Sequence, residues 1–252
     1  STGGPSPRLH TALAFDSATG SLYLFGGVSP TNFPLGDLWR WNGTWTNLPQ
    51  SDPKPTARHN HTMAWDPGLG SNGGLVIFGG DSYYTGERDD TWLWTAAGGF
   101  VQAATISPGY QSDHTMCRDA ARNRIVLLGY DHVAHVSTTW EWDGTRWQQQ
   151  FPATVPEYRR QARLAYDPVR QRAVLYGNAS TPAPESEFAV WEWDGVNWQS
   201  GSSELGGAMV LSAYEEARHV QVLFTTRYVG PLSPFVSTTW EWDGTVLQKL
   251  AI

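Results

Sequence analysis

The stretch Trp140-Glu141-Trp142-Asp143-Gly144-Thr145-Arg146-Trp147 decides how the rest of this chain is read, because worn copies of it occur four more times. The copies are WRWNGTW at 39–45, WLWTAAGGF at 92–100, WEWDGVNW at 191–198 and WEWDGTVL at 240–247. Thirteen of the fourteen tryptophans fall inside these five segments, and Trp65 alone stands outside. Two tryptophans at i and i+2 share one face of a strand. The Asn-Gly or Asp-Gly that follows predicts a hairpin with a two-residue turn and positive φ at both central residues. At 95–99 the Thr-Ala-Ala-Gly-Gly run calls for a wider loop.

The leading tryptophans, 39, 92, 140, 191 and 240, follow one another at intervals of 53, 48, 51 and 49 residues. Self-similarity at a period near fifty marks a repeat architecture. Each hairpin is preceded by two further strand-like runs, as in Arg8 to Asp16 and Ser21 to Phe25, or Arg58 to Asp66 and Gly74 to Phe78. Four antiparallel strands per repeat follow, with approximate bounds 8–49, 58–104, 111–151, 159–200 and 207–250. No segment sustains a helical period. The run Gly68-Leu69-Gly70-Ser71-Asn72-Gly73 matches GxGxxG, but a dinucleotide site needs a helix after it and a strand follows instead.

Composition agrees with one all-β domain of 252 residues. A net charge of −7 lacks the basic footprint of a nucleic-acid binder. No apolar run reaches membrane length, so no membrane insertion is expected. Charged residues make up only 16%, so aromatic packing carries the core. Cys117 is the single cysteine, which excludes an intrachain disulfide. The chain opens at Ser1, which suits a processed secreted or periplasmic product and a trimmed chain equally. The sequons at Asn42, Asn60 and Asn178 are read as chance.

The paired glycines after an apolar strand (Leu24-Phe25-Gly26-Gly27 and Ile77-Phe78-Gly79-Gly80), the Asp37-Leu38-Trp39 run and the trailing Trp45, Trp147 and Trp198 resemble the Kelch repeat over almost the whole chain. That resemblance implies a β-propeller of four-stranded blades around a channel, here with five blades read as a complete ring. Later repeats depart from the pattern, with Gly129-Tyr130, Gly177-Asn178 and Thr225-Thr226 in place of the double glycine. The 143–147 turn is also similar to the Asp-box turn of sialidase propellers, which is structural.

Residues common to the repeats are expected to build blades, and residues that differ are free to meet a ligand. The hairpin tryptophans therefore pack blade against blade, with sugar-stacking platforms as the alternative. Glu141, Glu192 and Glu241, between paired tryptophans, are read as outward strand positions. In the Kelch order of strands, the starts of strand one and the loops between strands two and three share one mouth. The former present Arg8, Arg58, Gln111, Arg159 and Gly207 at equivalent positions, either reaching an acidic ligand or bridging neighbouring blades. The loops present Tyr83, Tyr84, Arg88, His132, His135, Arg227 and Tyr228 as ligand-binding candidates.

No catalytic constellation stands out, so the leading expectation is a non-catalytic monomeric module capturing a peptide, protein or small molecule, without cofactor or metal. A Kelch-fold isomerase, cyclase or sugar-processing enzyme is the alternative, with Asp131, His132, His135 and Glu187 as first acid/base suspects. A lectin is the third reading. His59, His61, His114, His132 and His135 raise a metal site, yet histidines shared between repeats fit packing roles better. Cys117 lies in an apolar strand, a setting for an inert thiol.

Overall fold

The computed structural model describes residues 3–82, 86–103, 106–179, 187–205, 209–227 and 236–250. The fold is the expected all-β five-bladed propeller, with no helix among the described residues. Blade one comprises β1 (Ala12–Asp16), β2 (Ser21–Phe25), β3 (Leu38–Trp41) and β4 (Trp45–Leu48). Blade two comprises β5 (Thr62–Asp66), β6 (Gly74–Phe78), β9 (Thr91–Thr95) and β10 (Gly99–Gln102), with a short side hairpin of β7 (Asp81–Ser82) and β8 (Gly86–Glu87). Blade three runs through β11 (Ser112–Asp119), β12 (Arg124–Asp131), β13 (Val136–Trp142) and β14 (Trp147–Gln150). Blade four runs through β15 (Arg159–Asp167), β16 (Arg172–Ala179), β17 (Glu187–Trp193) and β18 (Trp198–Leu205). Blade five has β19 (Met209–Glu215), β20 (Val220–Arg227), β21 (Val236–Trp242) and β22 (Leu247–Lys249). Each blade is a four-stranded meander in sequence order.

In blades two, three and four the second strand buries both faces, so it reads as a continuous apolar run, whereas in β20 burial alternates and Phe224 is exposed. All five residues of β6 are buried. In β16 the two faces divide their work. Ala173 and Leu175 join Val126 and Leu128 of blade three, while Val174 and Tyr176 join Leu223, Trp240 and Trp242 of blade five.

The chain forms two compact units, one running to Gln111 and including Trp142–Gln148, the other comprising Ser112–Glu141 and the chain from Gln149 onward. In the first unit Trp65 stacks on Tyr23 of blade one, with ring centroids 5.1 Å apart and planes 10° from parallel. The one tryptophan outside the repeat thus serves the same blade-to-blade packing as the others. Trp147 docks edge-on to Phe78 and donates its Nε1 hydrogen to Thr91 Oγ1 at 2.9 Å, which holds the 142–148 hairpin in this unit.

The hairpin turns differ from the expected two-residue type. Trp193 pairs with Trp198 and Trp242 with Leu247, leaving four-residue loops, while Trp41 pairs with Trp45 across three residues. Only the glycines (Gly43, Gly144, Gly195, Gly244) have positive φ, each near 99°. The physical reason is the aspartate side chain: Asp143 Oδ1 accepts the amides of Thr145 and Arg146, both at 2.9 Å, and Asp194 and Asp243 cap their loops in the same way. Burial works against ionisation of Asp143, but the Thr145 hydroxyl and the two amides outweigh it and push its pKa down to about 2.

The glutamates between paired tryptophans are not outward. Glu141 Oε1 accepts a hydrogen bond from Arg122 at 2.6 Å and from Trp193 Nε1 of the next blade at 2.8 Å. Arg122 also bonds Asp119 in its own turn, at 2.8 Å. Glu192 repeats the arrangement with Arg170, Asp167 and, at 2.8 Å, Trp242. Glu241 pairs with Arg218, which bonds Glu215. These arginines escaped the reading of the tryptophan motif, although Asp119-Ala120-Ala121-Arg122, Asp167-Pro168-Val169-Arg170 and Glu215-Glu216-Ala217-Arg218 carry the signal. Blades one and two have Thr19 and Leu69 at the arginine position, and Arg40 and Leu93 at the glutamate position. In blade two both members of the pair are replaced by leucine, and Trp142 Nε1 of the next blade is buried without a hydrogen-bond partner.

Blades one and two are braced differently. Arg8 makes a bidentate pair with Asp37 (2.7 and 2.9 Å) and Arg58 one with Asp90 (2.6 and 3.0 Å). Trp39 and Trp92 donate their indole hydrogens to the same carboxylates. Burial opposes ionisation of Asp90, yet the hydrogen bond and charge of Arg58 hold its carboxyl below the usual range, and Arg8 and Trp39 do the same for Asp37.

Three outcomes follow from these clamps. Glu141→Leu removes the acceptor of Arg122 Nη1 and of the Trp193 indole N–H while leaving the Arg122–Asp119 pair, and urea denaturation is expected to register a loss of about 2–3 kcal/mol. Glu241→Leu, whose partner Arg218 has a 55% exposed side chain, is expected to lose less than about 1 kcal/mol. Arg58→Ala leaves the Asp90 carboxylate unpaired and is expected to cost about 3–5 kcal/mol by the same measurement. Because Asp37, Asp90 and Asp143 have depressed folded-state pKa values, their contribution is present above the unfolded carboxylate range and lost as pH falls. Melting temperature should therefore drop from about pH 4 downward, and Asp143→Asn should flatten that acid arm.

Candidate functional site

Within each unit, the start of strand one lies beside the end of strand two. In the first unit His59 and Asp81 exchange both backbone hydrogen bonds, at 2.9 and 2.8 Å. In the second, Tyr158, which leads into β15, packs on Tyr130 near the end of β12.

The arginine candidates at the strand-one starts are committed to the fold. All five donors of Arg58 are used, by Asp90, Gly79 O, Thr56 O and Thr56 Oγ1, and its side chain is 1% exposed. Arg8 is saturated likewise by Asp37, Gly26 O and Ser6. Each bridges strands within one blade, not neighbouring blades, and neither has a donor left for a ligand. Arg159 is buried and donates to Gly177 O at 2.9 Å, with Ala189 at the position of the pairing aspartate. Gln111 is buried and donates to Pro108 O. Arg88 is half-buried near Asp90. Tyr83, Tyr84, Gly207 and Tyr228 lie outside the described residues, as do the side chains of Glu187 and Arg227.

The loop after β12 is a tight turn. Asp131 Oδ1 accepts the amides of Val133 and Ala134 (2.7 and 2.9 Å), and those bonds lower its pKa, so this carboxylate is an ionised turn cap. His135 closes the turn with φ of 55° and is exposed. His132 is exposed and stands edge-on to Tyr130, with centroids 5.0 Å apart and planes at 83°.

His132 is thereby brought into a cluster that sequence reasoning did not assemble. Tyr130 and Tyr158 have ring centroids 4.2 Å apart with planes inclined by 32°, and His132 lies 6.3 Å from Tyr158. The Tyr158 hydroxyl donates to Asp113 Oδ2, and Asp113 in turn interacts electrostatically with Arg163. Tyr130 arrives here because the double glycine is gone. In blade two the backbone leaves the sheet at Gly79 and Gly80, both with positive φ, and a Cβ on Gly80 would come within 2.8 Å of His59 O. In blade three the strand continues, so β12 has eight residues where β6 has five, and Tyr130 pairs with Ser112. Asp113 occupies a bulge with φ of 44°, the position held by His10 and Asn60 in the first unit, both also at positive φ. Substituted glycines and polar residues two places after the strand-one anchor are the signals that could have found this site.

Among the described residues no three His, Cys, Asp or Glu side chains gather as a metal set. His59 and His61 are buried, and His61 packs edge-on to Phe25. Burial pushes the Cys117 thiol up, far from a thiolate nucleophile. The second tryptophans of the hairpins are buried too, apart from Trp41 at 40% exposure, so they do not form a series of open platforms.

No family model and no curated protein matches the chain. Solved structures do. A structure described as that of YjhT aligns with a TM-score of 0.65 at 13% identity, over 97% of this chain and 84% of that one. AofleA from Arthrobotrys oligospora aligns with a TM-score of 0.55 at 10% identity, over 99% and 73%. An exo-β-1,3-galactanase from Phanerochaete chrysosporium, solved with β-1,3-galactotriose, aligns with a TM-score of 0.62 at 9% identity, over 98% and 64%. At such identities the likeness shows the fold alone.

Proposed function

We propose that this chain is a carbohydrate-recognising propeller that holds a sugar against Tyr130 and Tyr158. The observation that carries the reading is the Tyr130–Tyr158 ring pair, 4.2 Å between centroids, with His132 edge-on beside it and Asp113 bonded to the Tyr158 hydroxyl. Sugars offer a C–H face and a rim of hydroxyls. Tyrosine rings take the first through their apolar faces, and the Asp113 carboxylate and Arg163 guanidinium supply an acceptor and donors for the second. A sugar ligand is also in keeping with the galactotriose carried by one of the fold's solved examples.

Binding without turnover is favoured over hydrolysis, because a glycosidase needs two carboxylates flanking the bond and Asp131 spends its carboxylate on the turn. A sugar-processing enzyme is the second reading, supported by that galactanase. The Kelch resemblance is retained as part of the proposal, on the paired glycines and the Arg–Asp–Trp clamps of blades one and two.

Glycan-array screening followed by calorimetry on the best hit tests the reading. Tyr130→Ala and Tyr158→Ala are each expected to weaken binding about tenfold, the equivalent of losing an aromatic contact. Absence of any glycan ligand, or retention of full affinity in both variants, contradicts it. Release of sugar from the bound glycan would move the assignment to the enzyme.

A further inference from the structure

A recess lies wholly within the second unit, between blades four and five and apart from the tyrosine cluster. It is a groove of about 480 Å³ walled by Glu192, Gln199, Ser200, Gly201, Trp242 and Thr245. It coincides with small side chains that blade three does not have at the equivalent positions. The outer strand of blade three reads Trp147-Gln148-Gln149-Gln150, whereas that of blade four reads Trp198-Gln199-Ser200-Gly201. Two glutamine side chains give way to a hydroxymethyl group and a hydrogen. Gly201 lies against the indole of Trp242, with a Cβ there only 3.1 Å from the ring.

The chemistry of the walls is specific. Glu192 spends Oε1 on Arg170 and Trp242, while Oε2 accepts no hydrogen bond among the described residues. Arg170 is shared between Glu192 and Asp167, which leaves a net negative charge at this wall that disfavours an anionic ligand. Gln199 donates to Asp194, and Thr245 donates its hydroxyl to Asp243, leaving the Gln199 carbonyl and the Thr245 oxygen as acceptors. The edge of Trp242, itself only 2% exposed, closes the inner end of the groove, and the acceptors with the Ser200 hydroxyl match the hydroxyl rim of a saturated polyhydroxylated ring. The geometry points to this groove as a binding site for one neutral sugar ring, independent of the tyrosine platform.

The test follows the Trp242 indole N–H resonance by NMR during titration with the methyl glycosides of glucose, galactose, mannose and N-acetylglucosamine. The expected result is a saturable shift with at least one of them, weakened at least tenfold by Gly201→Gln, which restores the side chain of blade three. Ser200→Tyr, at an exposed position, covers the groove without touching the core and is expected to act likewise, so it decides the matter if Gly201→Gln fails to fold. Tyr130→Ala should leave this shift intact, which separates the groove from the other site. No saturable shift with any of the four sugars, or wild-type titration in folded Ser200→Tyr, overturns the inference.

Discussion

Blades that pack face to face through tryptophans bury many indole N–H groups, and supplying hydrogen-bond acceptors for them shapes much of this fold, while Trp140, Trp142 and Trp191 keep Nε1 buried without one among the described residues. Large rings supply apolar area, worth about 1.5–3 kcal/mol for each side chain fully buried. An indole hydrogen left without an acceptor gives back about 1–3 kcal/mol of that gain. Besides threonine hydroxyls and Gln50, the chain supplies acceptors in two recurring ways. In blades one and two an aspartate two residues before the tryptophan takes the indole hydrogen while gripping Arg8 or Arg58. In the second unit a glutamate takes the hydrogen of the following blade's tryptophan while gripping Arg122 or Arg170.

Much of this was legible beforehand, for a physical reason. A repeat must solve the same packing problem at each turn, so its apolar and aromatic positions recur and announce the strand count and the structural duty of the tryptophans. What was not legible lay in partners distant in sequence. Glu141 looks outward by alternation along β13, and only the fold brings Arg122 and Trp193 to it. Likewise Asp-Gly is read as a tight turn from its backbone preferences, while the carboxylate of Asp143 selects a longer loop by capping two amides.

The candidate site was legible only in part. His132 and the shared location of strand-one starts with the two-to-three loops were anticipated, whereas Tyr130 and Tyr158 were passed over because neither sits on a loop tip. The arginines drew notice for their charge, yet charge on a residue that recurs at equivalent positions served the scaffold. The tyrosine cluster arises where the repeat is broken, since Tyr130 replaces a glycine, and the groove lies where Gly201 stands in place of the glutamine of blade three.

The claim that clamp residues are exchanged as sets is tested most directly in the first unit, where Trp142 Nε1 is buried without an acceptor and Leu69 and Leu93 hold the clamp positions. A double-mutant cycle of Leu69→Arg and Leu93→Glu, read by urea denaturation, installs the missing set. The account predicts that each single change destabilises and that the pair recovers, with a coupling of about 1.5–3 kcal/mol. Additive losses from the two substitutions would contradict it.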